Sequence, residues 1–444
     1  MRMIFPEPDI TPTSGFTEKV DIFKRKDFGD RLANLIEKSG GSSVIALDAG
    51  WGEGKSTFIK MWRGYLSNRD RKKITSIYFD AFANDYQEHP FLALASEIYQ
   101  LIPTTDKKKQ EKFRDNLSQA TKSLTRGAIK VAAKITTAGI VDGSDVDSIE
   151  KIISNFKSKE IDEIVDEKLK QAKNDKSSLQ KFKNHLTEIS QEIGDGSPLI
   201  FIIDELDRCR PDFALELLEQ IKHLFSVEGI TFLLVTNRKQ LEDSIRAKYG
   251  TEINATNYLN KFVHLWVELP RASDKHNDHG VTFLKYALKE MMETDEKINN
   301  TDTIEILAAL VEYYKPSFRE IERTLTYFSI IMNMSGEKKY DSIFQITIAI
   351  VCYFNVYQPN LFRAIDSELT YDQVMNKSRL DKFNPETDPH YLGVVKDIIK
   401  YELGDKETKE EIIQKNSLFK NHFGRPHNSV IKEVRSWLSD IKIN

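Results

Sequence analysis

The sequence is poor in cysteine, has no surplus of positive charge and contains no long uninterrupted apolar run. Each shortage removes a class of protein. Only Cys209 and Cys352 occur, far apart in 444 residues, so no disulfide framework is expected and a reducing compartment suits the chain. Lysine plus arginine number 64 against 68 aspartates plus glutamates, a formal charge of −4. The chain as a whole therefore supplies no basic field for nucleic acid or an anionic membrane. The opening residues, MRMIFPEPDITPTSG, lack the apolar centre of a secretory leader. SIFQITIAIVCYFNVYQPNLF (342–362) is uncharged and near the ~20 residues that cross a bilayer, but Gln345, Thr347, Asn355, Gln358 and Pro359 interrupt it. A buried helix is expected there, not a span. GAIKVAAKITTAGIV (127–141) is shorter and carries Lys130 and Lys134, which reads as a small amphipathic helix. No internal repeat, low-complexity tract, nuclease motif or deaminase motif is present. The expectation is a cytoplasmic protein without a membrane span.

What is present is an ordinary globular composition, 40% hydrophobic and 30% charged, with a clear rhythm. VIALD (44–48), ITSIYFDAF (74–82), PLIFIID (198–204), GITFLLVTN (229–237) and FVHLWVELP (262–270) read as strands. Helical spacing separates them, at 21–39, 55–66, 89–102, 211–225 and 238–250. Strands alternating with helices predict an α/β fold, a mostly parallel sheet flanked by helices. Between 103 and 196 the sequence is long, charged and helical, which predicts an insertion, a hairpin being one form. Beyond 275 nearly everything reads helical. The expected organisation is 1–102 and 197–272 as two parts of one core, 103–196 as the insertion, 273–340 as a helical lid and 341–444 as a helical C-terminal domain.

The chemistry concentrates in two places. In LDAGWGEGKSTFIKMW the strand 44–48 runs into a glycine-rich loop that opens a helix. Such a loop cradles phosphates with backbone N–H groups, reaches the outer phosphates with a lysine and holds Mg²⁺ with a hydroxyl. Gly50, Trp51, Gly52, Glu53, Gly54, Lys55, Ser56 and Thr57 are the candidate phosphate-binding residues. Ala49 stands where such loops usually begin with glycine. The second place is LIFIIDELDR, a buried strand ending in two carboxylates. Asp204 fits the metal side, together with Ser56, and Glu205 fits the base that polarises an attacking water. Asn237, ending the strand GITFLLVTN, can orient that water or cap the next helix. Arg208, Arg210, Lys261 and Arg271 are candidates for added positive charge, among which sequence does not choose. Arg319, near the start of PSFREIERTLTYF, is placed to reach from a lid. HNDH (276–279) reads as a solvated loop, not a metal site. KNHFGRPHNSVIKEVRSW (420–437) is locally basic, without support elsewhere for nucleic acid.

AGWGEGKSTF, IDELDRCRPDFALELLEQIKHLFSVEGITFLLVTNRKQLEDSI, YLNKFVHLWVELP and YFDAFANDYQEHPF together resemble the KAP P-loop NTPases. That family is named for a neuronal membrane scaffold and a plasmid phage-exclusion protein. The likeness spans about 20–270, with 103–196 between its halves. It implies the additional-strand branch of P-loop proteins, related to AAA+ and signalling NTPases; a tryptophan such as Trp51 between the loop glycines is typical of the KAP family. It implies ATP and Mg²⁺ as cofactors, base-reading residues within 18–30, and for Arg319 the part of an AAA+ lid arginine. The resulting expectation is a bacterial Mg-dependent ATPase. It would act as a nucleotide-gated switch or assembly platform, homo-oligomeric, with a separately encoded protein partner, in antiphage defence. The rival readings are a nucleic-acid-remodelling ATPase and a nucleotide-binding scaffold without turnover.

Overall fold

The apolar runs form a five-stranded sheet. In the computed structural model its strands are β1 (Ser43–Asp48), β2 (Ser76–Asp80), β3 (Leu199–Asp204), β4 (Ile230–Thr236) and β5 (Leu265–Glu268). All are parallel, in the order β2-β3-β4-β1-β5. The structure describes residues 1–137 and 158–439, apart from 12, 40–41, 71, 88, 275–276, 293–300, 336–339, 366–368 and 422; side chains within 125–172 are not described. Every residue of β3 and β4 is buried, as befits central parallel strands covered on both faces. Register matters most for function. Asp80 pairs with Asp204, Asp204 with Val235, and Asp48 with both Thr236 and Glu268. The carboxyl ends of all five strands therefore lie level, on the edge where open α/β sheets bind ligands.

One face is covered by α1 (Lys26–Lys38) and α2 (Lys55–Ser67). Leu32, Ile36, Phe58 and Trp62 pack there on Ile45, Ile200, Ile202 and Leu233. Arg69, past the end of α2, ties the two helices by donating to Glu37 at 2.9 Å, and Trp62 Nε1 donates to Gly29 O at 2.8 Å.

The other face takes α3 (Pro90–Gln100), α4 (Lys107–Thr137), α5 (Ser158–Gly194), α6 (Pro211–Gln220), α7 (Arg238–Tyr249) and α8 (Ala255–Leu259). The expected insertion is α4 and α5, an antiparallel pair. Lys109 bonds Glu192 at 2.5 Å, Lys112 bonds Glu188 at 2.7 Å, and Asn116 meets His185 at 3.2 Å. Its base is built into the sheet's own core. Phe113 and Phe182 pack with Phe91 and Phe225, ring centroids 5.2 to 6.0 Å apart. Residues 138–141 of the small apolar stretch at 127–141 lie outside the described residues. After α6 the helix widens into a π turn, Ile221–Phe225, where the sequence suggests one continuous helix; the wider turn delivers Phe225 to that aromatic cluster. The short α8 is likewise not evident in the sequence.

The remaining helices build a second core. α9 (His279–Met291), α10 (Thr301–Tyr314), α11 (Phe318–Ser335) and α12 (Ser342–Tyr357) form its centre. The uncharged stretch at 342–362 becomes α12, buried along 346–354, and Pro359 then starts a separate short helix. Among the described residues no helix is long and apolar enough to cross a membrane. The loop before α9 holds a two-stranded antiparallel hairpin, Ser273–Asp274 with Asn277–Asp278, where the sequence reads as a solvated loop. Residues 1–5 pack on this second core. Arg2 N donates to Met291 O at 2.7 Å, and the Phe5 ring meets Phe283 and Tyr286 at 5.5 and 5.9 Å.

Candidate nucleotide site

The loop after β1 is shaped by two glycines in the left-handed region. Gly52 has φ +77° and Gly54 has φ +76°, values that side chains resist. A Cβ at Gly52 would also lie 2.7 Å from Arg319 Cβ. Gly54 is the N-cap of α2 and offers no side chain to it. The first N–H groups of that helix are thus left for a ligand, with the positive end of the helix dipole behind them. Gly50 differs, since a Cβ there would meet only Glu53 Cγ, at 3.5 Å. Ala49 continues the β1 ladder, its N–H bonded to Thr236 O at 3.3 Å, and its φ is not among the positive ones. The absence of glycine at 49 therefore costs the loop nothing in backbone conformation. Lys55 Nζ folds back on the loop, donating to Ala49 O at 2.8 Å and Gly50 O at 3.1 Å. Burial lowers its ammonium from the ordinary range, against the pull of Asp207 and Asp204.

Level with the loop, β3 ends in Asp204, fully buried. Its Oδ1 accepts the Glu205 N–H at 2.9 Å and its Oδ2 accepts the Tyr78 hydroxyl at 3.1 Å. Burial raises this carboxyl above its usual range, and the neighbouring Ser56 side chain, these two bonds and Lys55 oppose the rise. Glu205 follows at φ +60°, a left-handed backbone that costs a non-glycine residue about 1–2 kcal/mol and marks functional turns. Burial raises its carboxyl too, opposed by Arg208 and assisted by Asp204, Asp80 and Asp207. Arg208 pairs with Glu205 at 2.9 Å. Asp207 accepts a hydrogen bond from the Trp51 indole, so the tryptophan ties the phosphate loop to the acidic turn.

The lid closes the third side. Phe318 N donates to Gly52 O at 3.1 Å, which seats the start of α11 on the loop and Arg319 beside it. Behind the loop Glu53 pairs with Arg271, and Arg271 in turn donates to Pro316 O at 2.6 Å. Arg25, 3% exposed, donates to Pro270 O at 3.0 Å and to Glu53 O at 3.3 Å. Burial pushes its guanidinium down to about 10, partly offset by Glu53 and Asp21.

Together these groups surround a cavity of about 600 Å³. Residues 51–57 form its floor, with Tyr78, Asp80, Asp204, Glu205, Asp207 and Arg208 on the phosphate side and Arg319 and Glu322 from the lid. Ile4, Phe5, Pro8, Ile10, Val20, Ile22 and Phe23 form an apolar wall, four of them from the N-terminal ten residues and three within 18–30, the region expected to read a base. The volume falls in the range of small-molecule sites.

Most of the sequence candidates meet in this cavity; some do not. Asn237 does not line it. Its amide oxygen caps α7, accepting from Gln240 N at 3.3 Å. Of the four basic candidates, Arg208 lines the cavity, Arg210 donates to the Asp85 backbone, Lys261 lies 5.1 Å above the Tyr258 ring and Arg271 braces Glu53. His276 lies outside the described residues. Asp278 caps α9 and pairs with Lys315, and the His279 ring stacks on Phe23. Among the described residues no cluster suits a metal through three or more histidine, cysteine or acidic ligands. Both cysteines are buried and free. Tyr78, Asp80, Asp207 and Arg25 were not singled out from sequence. Positions 78 and 80 alternate on β2 toward the face of Asp204, but only the pairing of β2 with β3 reveals it.

A parallel sheet ordered 2-3-4-1-5, a glycine loop after β1 and a carboxylate ending β3 define a P-loop nucleoside triphosphatase. The chain belongs to the KAP family, whose P-loop domain model matches residues 25–335. Among solved structures it is similar to the ORC2 protein of Aeropyrum pernix, solved as ADPNP–ADP complexes, at 11% identity and a TM-score of 0.39, over 99% of this chain and 98% of that one. It is also similar to Cdc6p of Pyrobaculum aerophilum, at 10% identity and a TM-score of 0.36, over 96% and 87%. No curated protein matches the sequence.

Proposed function

We propose that this chain is a Mg-dependent ATPase that uses the bound nucleotide as a switch. The observation that carries the reading is the convergence of Lys55, Ser56, Asp204 and Glu205 in one cavity against a lid that supplies Arg319. Phosphates would lie on the N–H groups of 50–57, with Lys55 exchanging its contacts to Ala49 O and Gly50 O for phosphate oxygens. The donor set fits a hard divalent cation, since Ser56 and Asp204 offer hydroxyl and carboxylate oxygen and no softer ligand. They would hold Mg²⁺, which when bound supplies charge neutralisation to the phosphates. Glu205 polarises the attacking water, and Arg208 keeps its carboxylate oriented until substrate arrives. Arg319 brings the lid's positive charge to the phosphates.

We propose further that the switch serves bacterial antiphage defence, with output through assembly of copies of the chain or through a separately encoded protein partner in the cytoplasm. Two assays test it. Purified protein is assayed for ATP and GTP hydrolysis with and without Mg²⁺, and its mass is followed by mass photometry with each nucleotide. ATP turnover that needs Mg²⁺, lost in Lys55→Ala and Glu205→Gln, is the expected result. Nucleotide binding without any turnover would leave a scaffold instead. Plaque counts on cells carrying wild type or Lys55→Ala test the defence role.

A further inference from the structure

We infer that Tyr78 is a positioning residue for the metal-holding carboxylate, an inference that rests on the ATPase reading above. Tyr78 and Asp80 belong to β2, where Ile77 and Phe79 enter the core behind the sheet while Tyr78 and Asp80 face the cavity. β2 pairs with β3 so that Tyr78 lies opposite Ile202, two residues before Asp204. From there the phenol reaches along the sheet and donates to Asp204 Oδ2 at 3.1 Å. The other oxygen, Oδ1, takes the Glu205 N–H at 2.9 Å. One donor on each oxygen, one from β2 and one from the turn after β3, fixes the plane of the carboxylate.

The ring itself is held on its face by the Arg63 guanidinium, 5.2 Å from the centroid. A phenylalanine would fill the same space and keep that contact. What the tyrosine adds is the hydroxyl, which the structure directs at Asp204. Groups that hydrogen-bond to a metal's carboxylate ligand set its orientation and basicity, and their loss typically costs about 10–100-fold in metal affinity.

The test uses the full chain with a non-hydrolysable ATP analogue and Mn²⁺ as the probe, free Mn²⁺ being read by electron paramagnetic resonance. Tyr78→Phe is expected to weaken Mn²⁺ in the ternary complex about tenfold. Its affinity for the analogue in EDTA and its melting temperature should match wild type. Replacing Tyr78 by 4-aminophenylalanine, which restores a donor at the same place, should recover the Mn²⁺ affinity. Mn²⁺ binding by Tyr78→Phe within twofold of wild type, or no rescue by the amine, overturns the inference and leaves the ATPase reading standing. If wild type itself holds no Mn²⁺ with the analogue, both fall together.

Discussion

Two helix N-termini in this protein are treated in opposite ways. The start of α2 has Gly54 as its cap, no side-chain acceptor, and opens on the cavity. The start of the helix Ile431–Ser439 is closed from within. There Glu402 accepts from Val430 N at 2.9 Å, from Ile431 N and Lys432 N at 3.1 Å each, and from the Ser429 hydroxyl. The same physics acts in both places, since exposed N–H groups and the helix dipole attract an anion. In the C-terminal half the anion is a resident carboxylate and the result is stability. In the sheet half the place is kept free, Lys55 is parked on loop carbonyls, and the result is a receptor.

Breaking the receptor end gives the largest expected effect. Lys55→Ala should weaken binding of a fluorescent ATP analogue by at least about 100-fold, because it removes the ammonium that supplies charge-assisted bonds to the phosphates. Glu205→Gln comes next: turnover should fall by about 10²–10³-fold, the scale of a lost general base, while the analogue binds within a few-fold of wild type. The pH profile of wild-type turnover sharpens this. Burial raises the Glu205 carboxyl, and the base works only ionised, so activity should fall on acidification at a pH above the ordinary glutamate range.

Breaking the closed end should act on stability alone. Glu402→Ala strips four donors of their acceptor and should cost about 2–3 kcal/mol in urea unfolding of the helical half, with ATP-analogue affinity unchanged. Asp204→Asn should do the reverse and raise the melting temperature of metal-free protein at neutral pH while abolishing hydrolysis. The folded carboxyl is raised by burial, so its ionised form weakens the fold above that raised value. This penalty is absent below the unfolded value of 3.8, and the advantage of asparagine should narrow as pH falls between the two. Ala49→Gly should be the smallest, changing affinity less than about twofold, since Ala49 already sits in ordinary backbone.

The open terminus was legible in sequence because its chemistry imposes residues at fixed spacing: a strand, glycines where φ turns positive, then lysine and serine at the helix start. Asp204 and Glu205 were legible for the same reason, as polar residues ending a run that must be buried. Arg319 was legible as a charge near a helix start, but that it faces Gly52 is a property of the lid's packing. Tyr78 was hidden because its role depends on pairing between strands more than a hundred residues apart. Glu402 was hidden likewise, its partners lying on a different helix. The fold class followed from the alternation of strand and helix. The shared core of the insertion base and the sheet did not, because charged surface positions dominate the pattern of 103–196 and conceal the few aromatic anchors.

The bond between Gly52 and Phe318 makes the loop and the lid a lever. Its short arm is the loop, at the point of contact. Its long arm is α11, whose 18 residues reach about 27 Å at the usual rise. Each degree of tilt at the loop would carry the far end of that arm about half an ångström. That end holds the first residues of the chain, through Asn333 Nδ2 donating to Met1 O at 2.9 Å. A change too small to reshape the loop would thus arrive amplified at the first residues of the chain, of which Ile4 and Phe5 belong to the cavity's own apolar wall.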